Sequence, residues 1–213
     1  MTMVIFIMNN KQITKEAHNA IAEKYYELYK EDISDLKYFD LFLKECESKI
    51  LDLGCGMGHY SNYMFDKGFE VIGIDFSENM LHIARQINPS IKFICSDICD
   101  LSALKKEKFD GVVLAYVLQH LSKKEVNLLF ESLNQYLNLN SKILIFLREG
   151  NEIKEEIEPI DTKYKYIINE YSKDEISDIL KHNGWKIKMI ETKEYIEDPN
   201  SLSPITLVVL AEK

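Results

Sequence analysis

The chain has 213 residues, 46% of them hydrophobic, which is enough to bury one sizeable core and too little for two large domains. A net charge of -9 and only two arginines, Arg85 and Arg148, argue against a dedicated nucleic-acid binder, although a local basic patch can sit on an acidic protein. Four cysteines (Cys46, Cys55, Cys95, Cys99) match no common zinc spacing and no disulfide framework, so they read as reduced thiols of a cytoplasmic protein that holds no metal.

Residues 3–8 form an apolar run too short to span a bilayer, with no basic stretch before it. A first strand or a frayed tail is expected there, no membrane association, and Met8-Asn9-Asn10-Lys11 would make a natural beginning. Residues 11–31 repeat Ile13, Ala17, Ile21, Tyr25 and Leu28 at helical spacing. A second helix over 33–46 carries Leu36, Phe39, Leu43 and Cys46 on one face. Together these predict an N-terminal helical cap over residues 1–46, ahead of a catalytic domain over 47–213.

The first strand runs from Lys49 to Leu53 and meets Gly54-Cys55-Gly56-Met57-Gly58 at once. A helix over 58–66 stops at Gly68, and the second strand runs from Glu70 to Asp75. Ser77 is a good N-cap for a helix that must end before Asn88-Pro89. The third strand covers 91–96 and the fourth Phe109 to Ala115. Ser122 and Glu125 predict a capping box for a helix to about residue 138, followed by a fifth strand over 142–147. Residues 150–163 read as charged and irregular, with an accessory strand from Tyr164 to Ile168. Ser172 and Glu175 make a second capping box for a helix ending at Asn183-Gly184. Strands over 185–195 and 204–211 close the chain, joined by a loop with Pro199 and Pro204.

Five β-then-α units in a row imply an α/β fold with a parallel sheet and right-handed crossovers. In such sheets ligands bind beyond the carboxyl ends of the strands, where strand order reverses. The unusual residues gather at that edge: the glycines after the first strand, Asp75 ending the second, Asp97 after the third, Tyr116 after the fourth and Arg148 at the end of the fifth. Glycines allow a tight turn and close approach of a ligand to the backbone, and the helix beyond presents free N–H groups. A carboxylate at Asp75, 21 residues past Gly54, can accept both hydroxyls of a ribose. The dinucleotide spacing G-x-G-x-x-G would need glycine at His59 or Ser61, so NAD is disfavoured, and the loop lacks the ending of a phosphate-binding P-loop.

The run Ile50-Leu51-Asp52-Leu53-Gly54-Cys55-Gly56-Met57-Gly58 resembles the first motif of class I S-adenosylmethionine-dependent methyltransferases, of the small domain type known as methyltransferase domain 11 or 25. The likeness extends over about 45–213. It implies a Rossmann-like methyltransferase fold: a mostly parallel seven-stranded sheet with an antiparallel C-terminal hairpin. It implies S-adenosylmethionine as cofactor and S-adenosylhomocysteine as product. By that resemblance Gly54 and Gly56 would pass the methionine part of the cofactor. Asp75 would bind its ribose, and Phe76 and Met80 would lie beside the adenine. Asp97 would accept from the adenine amino group, and the Ile98 N–H would meet a ring nitrogen. Ala115 and Tyr116 would sit by the methionine end. Cys55 belongs to the same loop, its side chain read as packing filler. Asp52 would either reach the cofactor's amino group through water or brace the loop.

Methyl transfer from a sulfonium is an in-line displacement that needs alignment and exclusion of water, with a base where the acceptor must lose a proton. His120, at a position where this family often has a histidine, is the candidate base, with an unperturbed pKa near neutral. Tyr25 and Arg148 are the candidate substrate residues, although helical tyrosines ordinarily pack and Arg148 reads equally as an exposed strand-end arginine. The segment 150–171 is expected to face the substrate. A small-molecule acceptor, no nucleic acid, and a monomer or homodimer complete the expectation. The rival readings are a non-catalytic S-adenosylmethionine-binding partner subunit, a methyltransferase acting on tRNA or protein, and a nucleotide-dependent oxidoreductase.

Overall fold

The computed structural model describes residues 2–194 and 205–213. In chain order the helices are α1 (Thr2–Tyr29), α2 (Leu36–Leu43), α3 (His59–Asp66), α4 (Glu78–Ile87), α5 (Lys123–Leu133) and α6 (Lys173–His182). The strands are β1 (Lys49–Leu53), β2 (Glu70–Asp75), β3 (Lys92–Cys95), β4 (Phe109–Ala115), β5 (Leu137–Arg148), β6 (Ile153–Ile157), β7 (Lys165–Asn169), β8 (Lys186–Glu194) and β9 (Ile205–Glu212). Seven of them share one sheet in the order β3-β2-β1-β4-β5-β9-β8. β1 to β5 pair in parallel, and β9 runs antiparallel to both β5 and β8, forming the C-terminal hairpin. Strand order reverses between β1 and β4, so the loops after those strands open a crevice.

Side chains alternate across the sheet and build a core on each face. Leu51, Leu53, Ile72, Ile74, Val112 and Leu114 pack with Val126 and Phe130 of α5 and with Ile176 and Leu180 of α6. Ile50, Val71, Val113, Leu144 and Phe146 pack with Phe39 and Phe42 of α2 and Met64 of α3. Phe39 and Phe42 are wholly buried, and each contributes about 1.5–3 kcal/mol of hydrophobic stabilisation. The second helix therefore lies on the sheet face, whereas α1 packs on α4 through Ile21, Ala22, Met80 and Ile83 and on β7 through Ala17.

The structure departs from the sequence reading in five places. Residues 3–8 are neither strand nor tail but the start of α1, since no glycine or proline interrupts residues 2–29. α2 is shorter than 33–46, beginning at Leu36 and ending at Leu43. α5 stops at Leu133 rather than near 138, because a 3-10 turn over Asn134–Tyr136 leads directly into β5. Its first residues form a bulge around Asn140 at φ 61°, and regular pairing with β4 resumes at Lys142. The segment 150–163 is not irregular throughout, since β6 pairs antiparallel with β7 in a second, two-stranded sheet. Ser172 accepts from the Glu175 N–H, but the Glu175 carboxylate turns to Lys123 at 2.6 Å, so only half of that capping box forms. The box at Ser122 and Glu125 is reciprocal. Pro199 and Pro204 lie outside the described residues.

Candidate active site

The loop after β1 owes its shape to three residues at positive φ: Gly54 (76°), Gly56 (52°) and Gly58 (76°). A Cβ on Gly54 would stand 2.5 Å from Val117 Cγ2, so that position is closed on one side by the β4 loop. A Cβ on Gly56 would meet nothing within 4 Å, which leaves a cradle open to a ligand. The loop borders a cavity of about 600 Å³ that runs past the ends of β1, β2, β4 and β5. That volume lies in the range of pockets for small molecules and cofactors.

Asp75 is buried and fixes the loop: its Oδ2 accepts the Gly56 N–H at 2.9 Å and its Oδ1 the Ser77 N–H at 2.8 Å. Burial raises its pKa, against the pull of those backbone bonds. Each oxygen keeps a further lone pair, so two hydroxyls can still be accepted there. Asp52 braces the same loop from beneath, accepting from the Ser61 hydroxyl of α3 at 2.6 Å while lining the cavity. Burial pushes its pKa up to about 7, opposed by the Ser61 bond. Cys55 is packing filler: its sulfur sits where a Cβ on Gly73 would come within 2.8 Å, and burial holds the thiol protonated.

Phe76, Met80, Asp97 and Ile98 all line the cavity beyond Asp75, with Met80 and Ile98 buried. Asp97 is already engaged: Oδ1 accepts the Cys99 N–H at 2.9 Å and Oδ2 meets Lys11 Nζ of α1 at 2.5 Å. Asp100, its neighbour, serves the turn instead, accepting the Ser102 N–H at 3.0 Å. Lys11 also pairs with Glu125 at 3.0 Å, which ties α1 over this end of the cavity.

Ala115 and Tyr116 stand at the end of β4 on the cavity wall. Tyr116 is held at φ 57°, a strained setting for a non-glycine residue, by its N–H on the Phe146 carbonyl and its hydroxyl on Asp35 at 2.7 Å. Buried Asp35, just before α2, also accepts from the Tyr60 hydroxyl at 3.0 Å and Lys193 Nζ at 2.6 Å. One carboxylate thus joins α3, β4 and β8.

The far half of the cavity lies between α1 and the β6–β7 ribbon. His18 and Tyr25 of α1, Gln119, His120 and Arg148 from the strand ends, and Glu156, Glu158 and Tyr166 of the ribbon segment line it. His120 faces the His18 ring edge-on with centroids 5.5 Å apart and the Tyr166 ring at 5.5 Å. Its Nδ1 is buried with no hydrogen-bond partner among the described residues. Burial among these rings, aided by His18 and Arg148, lowers its pKa to about 3. An imidazole so placed is uncharged near neutral pH, and it lines the cavity. Arg148 is buried rather than exposed, and its Nη1 donates to Glu156, so the expected hold on an acidic substrate group is already taken up by a protein carboxylate. Tyr25 lines the cavity and packs on Tyr29 with ring centroids 4.6 Å apart.

The sequence reading missed Lys11, His18, Asp35, Glu156, Glu158 and Tyr166. The contacts of Lys11 with Asp97 and of Asp35 with Tyr116 span 86 and 81 residues, and Glu156, Glu158 and Tyr166 pair across a ribbon that the sequence pattern does not reveal.

Residues 50–140 match the family described as "Methyltransferase domain". Over 161 residues the chain is 27% identical to an uncharacterized methyltransferase of Alkaliphilus oremlandii, covering 68% of this chain and 71% of that protein. Over 106 residues it is 31% identical to phosphoethanolamine N-methyltransferase 1 of Arabidopsis thaliana, covering 47% of this chain and 21% of that protein. In fold it is similar to the 1,6-didemethyltoxoflavin-N1-methyltransferase of Burkholderia thailandensis, solved with 1,6-didemethyltoxoflavin and S-adenosylhomocysteine. That likeness has a TM-score of 0.74 at 14% identity over 97% of this chain and 89% of the other. Over residues 50–140 and in its fold, the chain is similar to S-adenosylmethionine-dependent methyltransferases.

Proposed function

We propose that this chain moves the methyl group of S-adenosylmethionine to a small-molecule acceptor held in the same cavity. The observation that carries the reading is the roofing of the cavity by α1 and the β6–β7 segment, which leaves a space of about 600 Å³ between them and the strand ends. An acceptor of small dimensions fits such a space; a folded RNA or protein would need an open face, and a net charge of -9 does not favour a polyanion. The phosphoethanolamine and didemethyltoxoflavin enzymes among similar proteins agree by name with small acceptors.

The residues divide the work by position. Asp75 would accept the ribose hydroxyls, Phe76 and Met80 would flank the adenine, and Asp97 and the Ile98 N–H would meet its polar edge, with Lys11 closing over Asp97. Gly54, Gly56, Ala115 and Tyr116 would border the methionine portion, above Asp52. When bound, the cofactor supplies a methyl on a sulfonium that is already activated. The protein then aligns the acceptor and excludes water, work suited to a cavity walled by His18, His120 and Tyr166. With its imidazole uncharged and weakly basic, His120 shapes that wall and takes no part as a strong base.

Calorimetry tests the donor half: S-adenosylmethionine and S-adenosylhomocysteine should bind at one site per chain and NAD and ATP should not. Methyl-labelled donor tests the acceptor half: label should reach a small-molecule extract and not tRNA. Binding without transfer to any fraction would point to a non-catalytic partner subunit.

A further inference from the structure

We infer that the acceptor carries a cationic ammonium group, seated in the part of the cavity lined by Tyr25, Tyr166 and Glu158, with the Glu158 carboxylate as its counter-charge. The inference rests on the proposed function and names the chemistry of its acceptor; the ammonium is a handle for binding, and no bond is made or broken at it.

Glu158 is the first ground. It is 1% exposed and lines the cavity, yet its carboxylate accepts from neutral groups: the Tyr166 hydroxyl at 2.7 Å and the Ile160 N–H at 2.9 Å. Among the described residues no lysine, arginine or histidine forms an ion pair with it. A buried carboxylate without a cation carries a desolvation cost that an incoming cation offsets. Glu156, two residues earlier, pairs with Arg148 and with Lys154 at 3.6 Å, so the cations on this ribbon wall are matched to other carboxylates.

The surrounding surface is the second ground. Tyr166 stacks on His18 with centroids 6.5 Å apart and meets His120 edge-on, and His18 tilts toward Phe76 at 6.2 Å. Tyr25 stands close enough for the Glu158 charge to add to burial in raising its pKa. Aromatic faces attract cations, and the attraction grows where water is excluded. His120 remains uncharged among these rings and does not compete for the carboxylate. The cavity as a whole has the same sign: its lining includes eight Asp or Glu residues and two Lys or Arg residues, Lys11 and Arg148, both ion-paired. An anionic acceptor would meet repulsion there, and a neutral one would leave the Glu158 charge uncompensated.

The test uses three ligands of one shape and different charge: butylammonium, butanol and butyrate. Each is titrated into the full chain saturated with S-adenosylhomocysteine, with the thermal midpoint as readout. Butylammonium should bind about ten-fold or more tightly than either of the others, and Glu158→Gln, which keeps the shape and the Tyr166 contact, should bring the three within about three-fold. Tyr166→Phe should keep the preference for the amine, because ring and carboxylate both remain. Equal ranking of the three ligands in the wild type, including no binding by any, overturns the inference, as does a preference that survives Glu158→Gln. The wild-type ranking decides the matter by itself should that variant not fold. Stabilisation by S-adenosylhomocysteine alone reports on the donor site, so a failure of the proposed function is read separately.

Discussion

The Gly56 N–H donates to Asp75 Oδ2 at 2.9 Å, so the glycine loop after β1 and the carboxylate ending β2 form one unit. The bond sets the height of the loop above the sheet and, at the same time, turns the carboxylate toward the cavity. Cofactor binding and loop geometry are therefore inseparable at this position.

Replacing Asp75 with alanine should weaken binding of S-adenosylhomocysteine by about 1.5–3 kcal/mol, the loss of a charge-assisted pair of hydrogen bonds. Calorimetry on the folded variant measures it. Unchanged affinity would remove Asp75 from the cofactor site.

Gly54→Ala combines a left-handed backbone, costing about 1–2 kcal/mol, with a Cβ only 2.5 Å from Val117. The double variant with Val117→Ala should recover the steric part of the loss and leave the backbone part. Urea denaturation of the single and double variants reads both; no recovery in the double variant would mean that Val117 is not the obstruction.

His120, with a pKa near 3 when folded against 6.5 for the ordinary side chain, binds its proton mainly in the unfolded chain between those values. Its contribution to stability is therefore present above about pH 6.5 and falls as the pH drops toward 3. Wild type should lose stability on acidification more steeply than His120→Asn. The pH–rate profile between pH 6 and 8 should also show no step that disappears in the variant. A step near neutrality that vanishes with His120 would restore it as a base.

Asp52 acts in the opposite sense. Its pKa of about 7 exceeds the 3.8 of an ordinary aspartate, so the folded chain holds the proton between those values and loses stability as the pH rises through them. Asp52→Asn should be more stable relative to wild type at pH 8 than at pH 4, as measured by denaturant midpoints. A difference that does not change with pH would show that Asp52 is ionised throughout.

Arg148→Met should destabilise the protein by about 1–3 kcal/mol, because half-buried Glu156 loses its charge-assisted partner and keeps only Lys154 at 3.6 Å. The double variant with Glu156→Gln should regain much of that loss in denaturation measurements.

The sheet was legible because its punctuation is local. Ser77 and Ser122 cap the helices that follow them, Gly68 and Gly184 end others, and apolar runs of strand length stand between. β6 was hidden because its alternation is reversed. Ile153 and Ile157 are exposed while Lys154 and Glu156 turn inward, so the usual apolar-in pattern gives no strand signal. The residues that follow strand ends could be placed on the cavity edge from the sequence. The contacts that close it could not: Lys11 meets Asp97 across 86 residues and Tyr116 meets Asp35 across 81, distances over which only the folded chain brings partners together. The same limit applies to His120, whose position was expected but whose burial, which decides its proton affinity, depends on His18 and Tyr166.

The β6–β7 ribbon shares no strand ladder with the seven-stranded sheet and is anchored where the Tyr171 N–H donates to the Arg148 carbonyl and the Gly150 N–H to the Tyr171 carbonyl. The chain thus leaves the frame and rejoins it at one seam. Divergence or deliberate exchange can act on what lies between as on a cassette, reshaping one wall of the cavity while the glycine loop and the strand ends stay in place.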